Sequence, residues 1–164
     1  ITYIGLRGSI NSNENLQLIR SYKPDLLISI LGNQIFKKAL INLAPKGCIN
    51  LHTALLPKYR GLMPTFWVLK NNEKNTGVSV FYVDEGIDSG PIILQKVINI
   101  ENRSQADLIK YTKKIGMELI AEAMELIYTN KVECLPNIDS EMSYYSFPQR
   151  QDVIDFRKSG KRFF

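Results

Sequence analysis

What most restricts the folding of this chain is its alternation of short apolar runs with stretches of helical spacing. Leu26 to Leu31 and Cys48 to Leu51 are almost wholly apolar over strand length, as expected of strands buried on both faces of a sheet. Gly77 to Val83 and Pro91 to Ile100 are rich in β-branched and aromatic residues, which suit a pleated surface. Ile1 to Gly5 reads as one more short strand. Between these runs, Asn13 to Tyr22 sets Leu16, Ile19 and Tyr22 at helical spacing behind a Ser12 or Asn13 cap. Ile35 to Leu43 reads as a short helix stopped by Pro45-Lys46-Gly47, and Pro64 to Lys70 as a helix with proline in its first turn. The clearest element runs from Ser104 to about Thr129. Leu108, Ile115, Leu119, Ala123 and Ile127 mark one apolar stripe there, and Ser104 with Asp107 makes a start like a capping box. Such alternation predicts an α/β fold, a mainly parallel central sheet flanked by helices. Past Val132 the chain is Pro-, Ser- and Tyr-rich, which predicts an extended tail and a last short helix near Gln151 to Lys158. One domain is therefore expected over 1–135 and a tail over 136–164.

The length of 164 residues suffices for one domain with a sizeable core. With 45% hydrophobic and 23% charged residues, the composition is that of a soluble globular protein. No apolar run approaches the roughly 18 residues of a membrane span, and Ile1-Thr2-Tyr3-Ile4 lacks a charged leader. A cytoplasmic setting without a membrane partner is expected. Cys48 and Cys134 form neither a metal-spaced pair nor a disulfide framework, so reduced thiols, buried or half-buried, are expected. The formal charge of +5 favours anionic partners. Much of that excess lies in Arg150, Arg157, Lys158, Lys161 and Arg162, where a solvated tail accounts for it equally well.

Three polar residues stand where apolar surroundings should bury them. Asn50 and His52 end the run Cys48-Ile49-Asn50-Leu51-His52 and share a face if it is extended. His52 is the only histidine. Ligands of open α/β sheets gather at the carboxyl ends of strands. Asp88 lies in the Gly-rich acidic loop Asp84-Glu85-Gly86-Ile87-Asp88-Ser89-Gly90. Taken singly, each is equally a structural histidine or a turn former. One histidine and no clustered cysteines leave too few ligands for zinc, and no metal is expected.

Read together, these residues resemble a known family. Asn50-Leu51-His52-Thr53-Ala54-Leu55-Leu56-Pro57-Lys58-Tyr59-Arg60-Gly61 closely resembles the signature of the 10-formyltetrahydrofolate-dependent formyltransferases. Thr76-Gly77-Val78-Ser79-Val80, Asp84 to Gly90 and Pro91-Ile92-Ile93-Leu94-Gln95 resemble the family's second half in order and spacing. The likeness covers about Asn13 to Thr129. It implies a Rossmann-like formyltransferase fold, and transfer of a formyl group from 10-formyltetrahydrofolate to a primary amine without a metal. It further implies that Asn50, His52 and Asp88 are catalytic. As the amine attacks the formyl carbon an oxyanion develops, to which Asn50 and His52 would donate N–H groups. Asp88 would hold His52 as a donor and help to move the amine proton. The resemblance also implies that backbone groups of Gln34, Ile35 and Phe36, and of Asp84, Glu85 and Gly86, hold the pterin, with Leu56 shaping the same cleft.

The chain departs from the family in two ways. The family's opening strand, with a glycine-bearing turn that helps to bind the acceptor, is not found, and an N-terminal strand–helix unit is expected to be missing. A C-terminal β-barrel domain, as in methionyl-tRNA formyltransferases, has no room before Phe164. The expected acceptor is therefore a small-molecule amine, such as an amino-sugar nucleotide or glycinamide ribonucleotide, ahead of Met-tRNA. The alternatives are a formyltetrahydrofolate deformylase, which uses water as acceptor, and a folate-binding module without catalysis.

Overall fold

The computed structural model describes residues Thr2–Phe164. The helices are α1 (Asn13–Ser21), α2 (Lys38–Ile41), α3 (Pro64–Lys70), α4 (Gln105–Tyr128) and α5 (Arg150–Lys158). The strands are β1 (Leu27–Ile30), β2 (Cys48–His52), β3 (Arg60–Gly61), β4 (Asn75–Tyr82), β5 (Ile92–Asn99) and β6 (Tyr144–Tyr145). As expected, the apolar runs form one sheet, in the order β1-β2-β4-β5, and the class is α/β.

The sheet is mixed. Only β1 and β2 run parallel, and the β2–β4 and β4–β5 pairs are antiparallel. The mainly parallel arrangement thus stops at β2. The connection from Tyr82 to Ile92 is too short for a helical crossover, and parallel neighbours need one of a dozen residues or more. Burial of Leu26 to Leu31 on both faces is also corrected. β1 pairs only with β2 among the described residues, and Ile28 and Ile30 remain 37% and 41% exposed.

Local signals explain the helices. The Ser12 and Ser104 side chains accept from the amides of Asn15 and Asp107 and so cap α1 and α4. The Ser104 hydroxyl also donates to the Asp107 carboxylate at 2.7 Å. The stripe Ile115, Leu119, Ala123 and Ile127 of α4 packs on Ile49, Leu51, Val78 and Val80 of the sheet. Gly116 sits so close to Leu51 that a Cβ would lie 2.5 Å from its side chain. α2 is shorter than the Ile35–Leu43 helix expected. Its approach is held extended instead, with the Asn11 side chain donating to the Ile35 carbonyl and accepting from the Lys37 amide. Thr2 to Gly5 form no strand; Ile1 lies outside the described residues. A strand needs a ladder partner, and Asn15 instead ties the Arg7 and Ser9 carbonyls to the start of α1.

A second core gathers around α3. Phe66 stacks on Phe156 of α5 at 4.8 Å, and Phe156 lies 4.7 Å from Phe163. Trp67 stacks on Tyr145 at 4.7 Å and donates its indole N–H to the Ser146 carbonyl. These contacts dock the segment after Val132 and bring β6 beside β3 in a parallel pair.

Cys48 is buried in β2, and desolvation pushes its thiol up to about 11. Cys134 is exposed. At mild alkaline pH a thiol reagent is expected to label Cys134 in the native protein and Cys48 only after unfolding, because the thiolate is the reactive form. Equal labelling of both in native protein, read by mass spectrometry, would contradict this burial.

Candidate active site

Alternation along β2 divides its side chains. Ile49 and Leu51 face α4, whereas Asn50 and His52 face the opposite side of the sheet, in register with Phe81 and Ser79 of β4. Ser79 is fully buried. Its hydroxyl donates to the Ala54 carbonyl at 2.7 Å and accepts from the Leu56 amide and from Gln95. Gln95 also donates to the Leu56 carbonyl at 2.8 Å. These two polar side chains pin the turn that follows β2 over the sheet. The turn then leads through Tyr59 into β3.

His52 is 6% exposed, and its Nε2 lies 2.7 Å from the Tyr59 carbonyl. A carbonyl can only accept, so Nε2 carries a proton in that bond. The other ring nitrogen, Nδ1, lies 3.5 Å from Asp88 Oδ2. That same carboxylate oxygen accepts from the Gly61 amide at 2.8 Å. Asp88 and Tyr59 both occupy the left-handed backbone region, at φ +49° and +59°. For a residue with a Cβ this costs roughly 1–2 kcal/mol, so surrounding contacts must hold both in place.

Asn50 and Asp88 line one cavity of about 340 Å³. The Asn50 Oδ1 is buried without a hydrogen-bond partner. Gln34, Ile35, Phe36, Asp84 and Gly86 line the same cavity. The Gln34 side chain accepts from the Ile10 amide at 2.9 Å and so ties the loop before α1 to the cavity rim. The Asp84 carboxylate is occupied in shaping its own loop, accepting from the Gly86 amide and the Ser89 hydroxyl. Three other residues, His52, Leu56 and Glu85, stand apart from this lining. His52 is buried and borders it through Asp88. Leu56 packs with Phe81 and Ile92, one layer behind the wall. Glu85 points outward, 3.8 Å from Lys38.

Sequence reasoning passes over Ser29, Leu62, Phe81 and Tyr144, all of which line the cavity. It also misses the Tyr59 carbonyl and the Gly61 amide. Ser29, Ser79 and Gln95 do leave a signal, as polar residues within otherwise apolar strands. Tyr144 leaves none, because it reaches the cavity only through the β3–β6 pairing.

Comparison with known proteins follows the same residues. Residues 7–124 match the family described as Formyl transferase. A methionyl-tRNA formyltransferase from Kosmotoga olearia is 35% identical over 147 residues, which cover 89% of this chain and 47% of that protein. The chain thus spans about half the length of the curated relatives it matches. An N-formyltransferase from Helicobacter canadensis, solved with folinic acid and dTDP-3-aminofucose, is 30% identical. The match covers 76% of this chain and 45% of that one, with a TM-score of 0.66. WlaRD, a sugar 3N-formyl transferase solved with dTDP and 5-N-formyl-THF, is 28% identical with a TM-score of 0.67, covering 82% of this chain and 48% of that one. Among the described residues no helix is long and apolar enough to cross a membrane.

Proposed function

The chain belongs to the formyl transferase family, and from that premise we propose that it carries the folate side of an enzyme that moves a formyl group from 10-formyltetrahydrofolate to a primary amine. One observation carries the reading. Asn50 and Asp88 line one cavity, the buried His52 ring stands 3.5 Å from Asp88, and the apolar side chains in the same lining suit a flat heterocycle. The cavity volume of about 340 Å³ lies in the range of ligand pockets. Ile35, Phe36 and Phe81 supply apolar wall, and the Asp84–Gly86 turn supplies backbone groups.

Bound there, the folate supplies an activated formyl carbon. The chain's own residues do the rest. The Asn50 amide N–H donates to the formyl oxygen as charge builds on it. With Nε2 bonded to Tyr59, His52 acts through Nδ1 on Asp88, its neighbour in the cavity lining. Asp88 takes up the amine proton, directly or through a water, while Gly61 holds its carboxylate. The acceptor in this reading is a small-molecule amine. The identity to methionyl-tRNA formyltransferases favours Met-tRNA as a second reading. Both place the protein in cytoplasmic one-carbon metabolism, a setting that the two free thiols support.

Calorimetry with 5-formyltetrahydrofolate is expected to show saturable binding. Removing the Phe36 ring should weaken it about 10- to 100-fold, since burying one aromatic ring is worth about 1.5–3 kcal/mol. A folded protein that binds no folate at millimolar concentration would overturn the reading. An acceptor screen with 10-formyltetrahydrofolate, amino-sugar nucleotides and Met-tRNA then separates the two acceptors.

A further inference from the structure

The segment from Asn137 to Tyr145 supplies no group to the reaction as written, yet it reaches both members of the His52–Asp88 pair through one layer of backbone. That layer is Tyr59 with β3. On one edge, the Arg60 and Leu62 amides donate to the Ser143 and Tyr145 carbonyls at 2.8 Å each, and the Tyr59 amide donates to the Ser143 hydroxyl at 2.9 Å. On the other edge, the Tyr59 carbonyl accepts from His52 Nε2 and the Gly61 amide donates to Asp88 Oδ2. Asn137 acts from a second direction. Its Nδ2 donates to the Asp88 carbonyl at 2.8 Å and the Gly90 carbonyl at 2.9 Å, bracing the turn that holds Asp88 in its left-handed conformation. Its Oδ1 accepts from the buried Arg60 at 2.8 Å.

We propose that Asn137 and Ser143 are positioning residues for the His52–Asp88 pair: Asn137 keeps the Asp88 carboxylate opposite Nδ1, and Ser143 keeps the Tyr59 carbonyl on Nε2. The imidazole can turn about its side-chain bonds; the Nε2 hydrogen bond holds it, and Asp88 stands 3.5 Å from Nδ1 on its other side. Each contact traces back to the same segment. Docking alone does not call for this arrangement, because the stacking of Tyr145 on Trp67 and Tyr59 already fastens the segment. The effect on turnover rests on the formyl-transfer reading, whereas the geometry of the ring does not.

His52 is the only histidine in the chain, so imidazole nitrogen NMR of the full chain reads this ring alone. Asn137→Asp keeps an acceptor for Arg60 and removes both donors to the Asp88 turn. It is expected to shift the Nδ1 resonance while the Nε2–H tautomer persists. Ser143→Ala is expected to move the Nε2 resonance and speed exchange of its proton. Asp139→Asn, which alters an exposed partner of Arg60, should leave both resonances and turnover as in wild type. In formyl transfer, Asn137→Asp should lose about 10- to 100-fold in kcat, the usual cost of removing a group that orients a reacting one. The folate KM should stay within about twofold, because ground-state binding is not what is lost. Folded Asn137→Asp and Ser143→Ala proteins with wild-type His52 spectra would overturn the proposal, even if turnover fell. Should Asn137→Asp fail to fold, the Nε2 signal of Ser143→Ala decides. Shifted resonances in a protein that neither binds folate nor transfers formyl would refute the functional reading and leave the positioning role standing.

Discussion

Asp88→Asn, Asn50→Ala and His52→Gln are each expected to lower single-turnover formyl transfer at saturating folate by about 100- to 1,000-fold, the usual cost of losing a proton-transfer group or one donor to a developing oxyanion. The substitutions are chosen for what they keep. Asp88→Asn preserves shape and an acceptor for the Gly61 amide, so its loss reports the carboxylate's charge and basicity. His52→Gln leaves an amide N–H that can reach the Tyr59 carbonyl and removes Nδ1. His52→Ala, by contrast, strands a buried carbonyl, at a cost of about 1–3 kcal/mol in stability, and so mixes two effects. Folate affinity should change little in all three, because the apolar wall of Ile35, Phe36 and Phe81 is untouched. The double substitution of Asn50 and Asp88 should cost far less than the product of the single losses, since groups acting on one transition state fail together. If Asp88→Asn or His52→Gln kept more than about a tenth of wild-type turnover, well short of the expected loss, the catalytic assignment would be wrong.

Gly61→Ala is expected to be strongly destabilising. Gly61 lies at φ +96°, where a side chain is strained, and an added Cβ would meet the Tyr145 carbonyl at 2.3 Å and the Tyr144 ring at 2.7 Å. The contact is with backbone, so no rotamer change relieves it. Strain of roughly 1–2 kcal/mol and an overpacking cost of roughly 1–3 kcal/mol add on one residue. The expected loss of stability is therefore about 2–5 kcal/mol, read by chemical denaturation. Relief is expected through separation of β3 from β6. The Gly61 amide then leaves Asp88, and turnover falls even in the fraction that stays folded. A stability within about 0.5 kcal/mol of wild type, the range of an ordinary surface change, would show that β3 and β6 do not pair as described.

Much of the architecture was legible before any coordinates. Residues Ser104, Asp107 and the stripe from Leu108 to Ile127 marked α4 to within a residue at each end, because capping and periodicity are local signals. Pro64 did the same for α3. The block from Asn50 to Gly61 pointed to a site only through its resemblance to the formyltransferase signature, because a polar pair at the end of an apolar strand is by itself also a structural feature. The role of each residue there remains a proposal for the kinetic measurements. By contrast, nothing around Thr2–Gly5 distinguished a strand from an exposed lead-in, since the difference lies in whether a neighbouring strand is present.

Local chemistry, written in the order of residues, determined the long helices and the four strands of the main sheet, the α/β class, and which polar side chains share the Asn50–His52 face. Tertiary structure alone decided that β1 lies at the sheet edge with Ile28 and Ile30 half exposed, that β4 turns antiparallel to β2, and that β3 finds β6. Tyr59 and Ser143 are 84 residues apart, and two-residue strands carry no periodicity by which they could be paired in advance. Their pairing follows from the stack of Tyr59, Trp67 and Tyr145, which forms only once α3 and the C-terminal segment meet. The His52 tautomer was undecidable from sequence for the same reason. It is set by a backbone carbonyl, a group every residue has, and only the folded chain brings that of Tyr59 to Nε2.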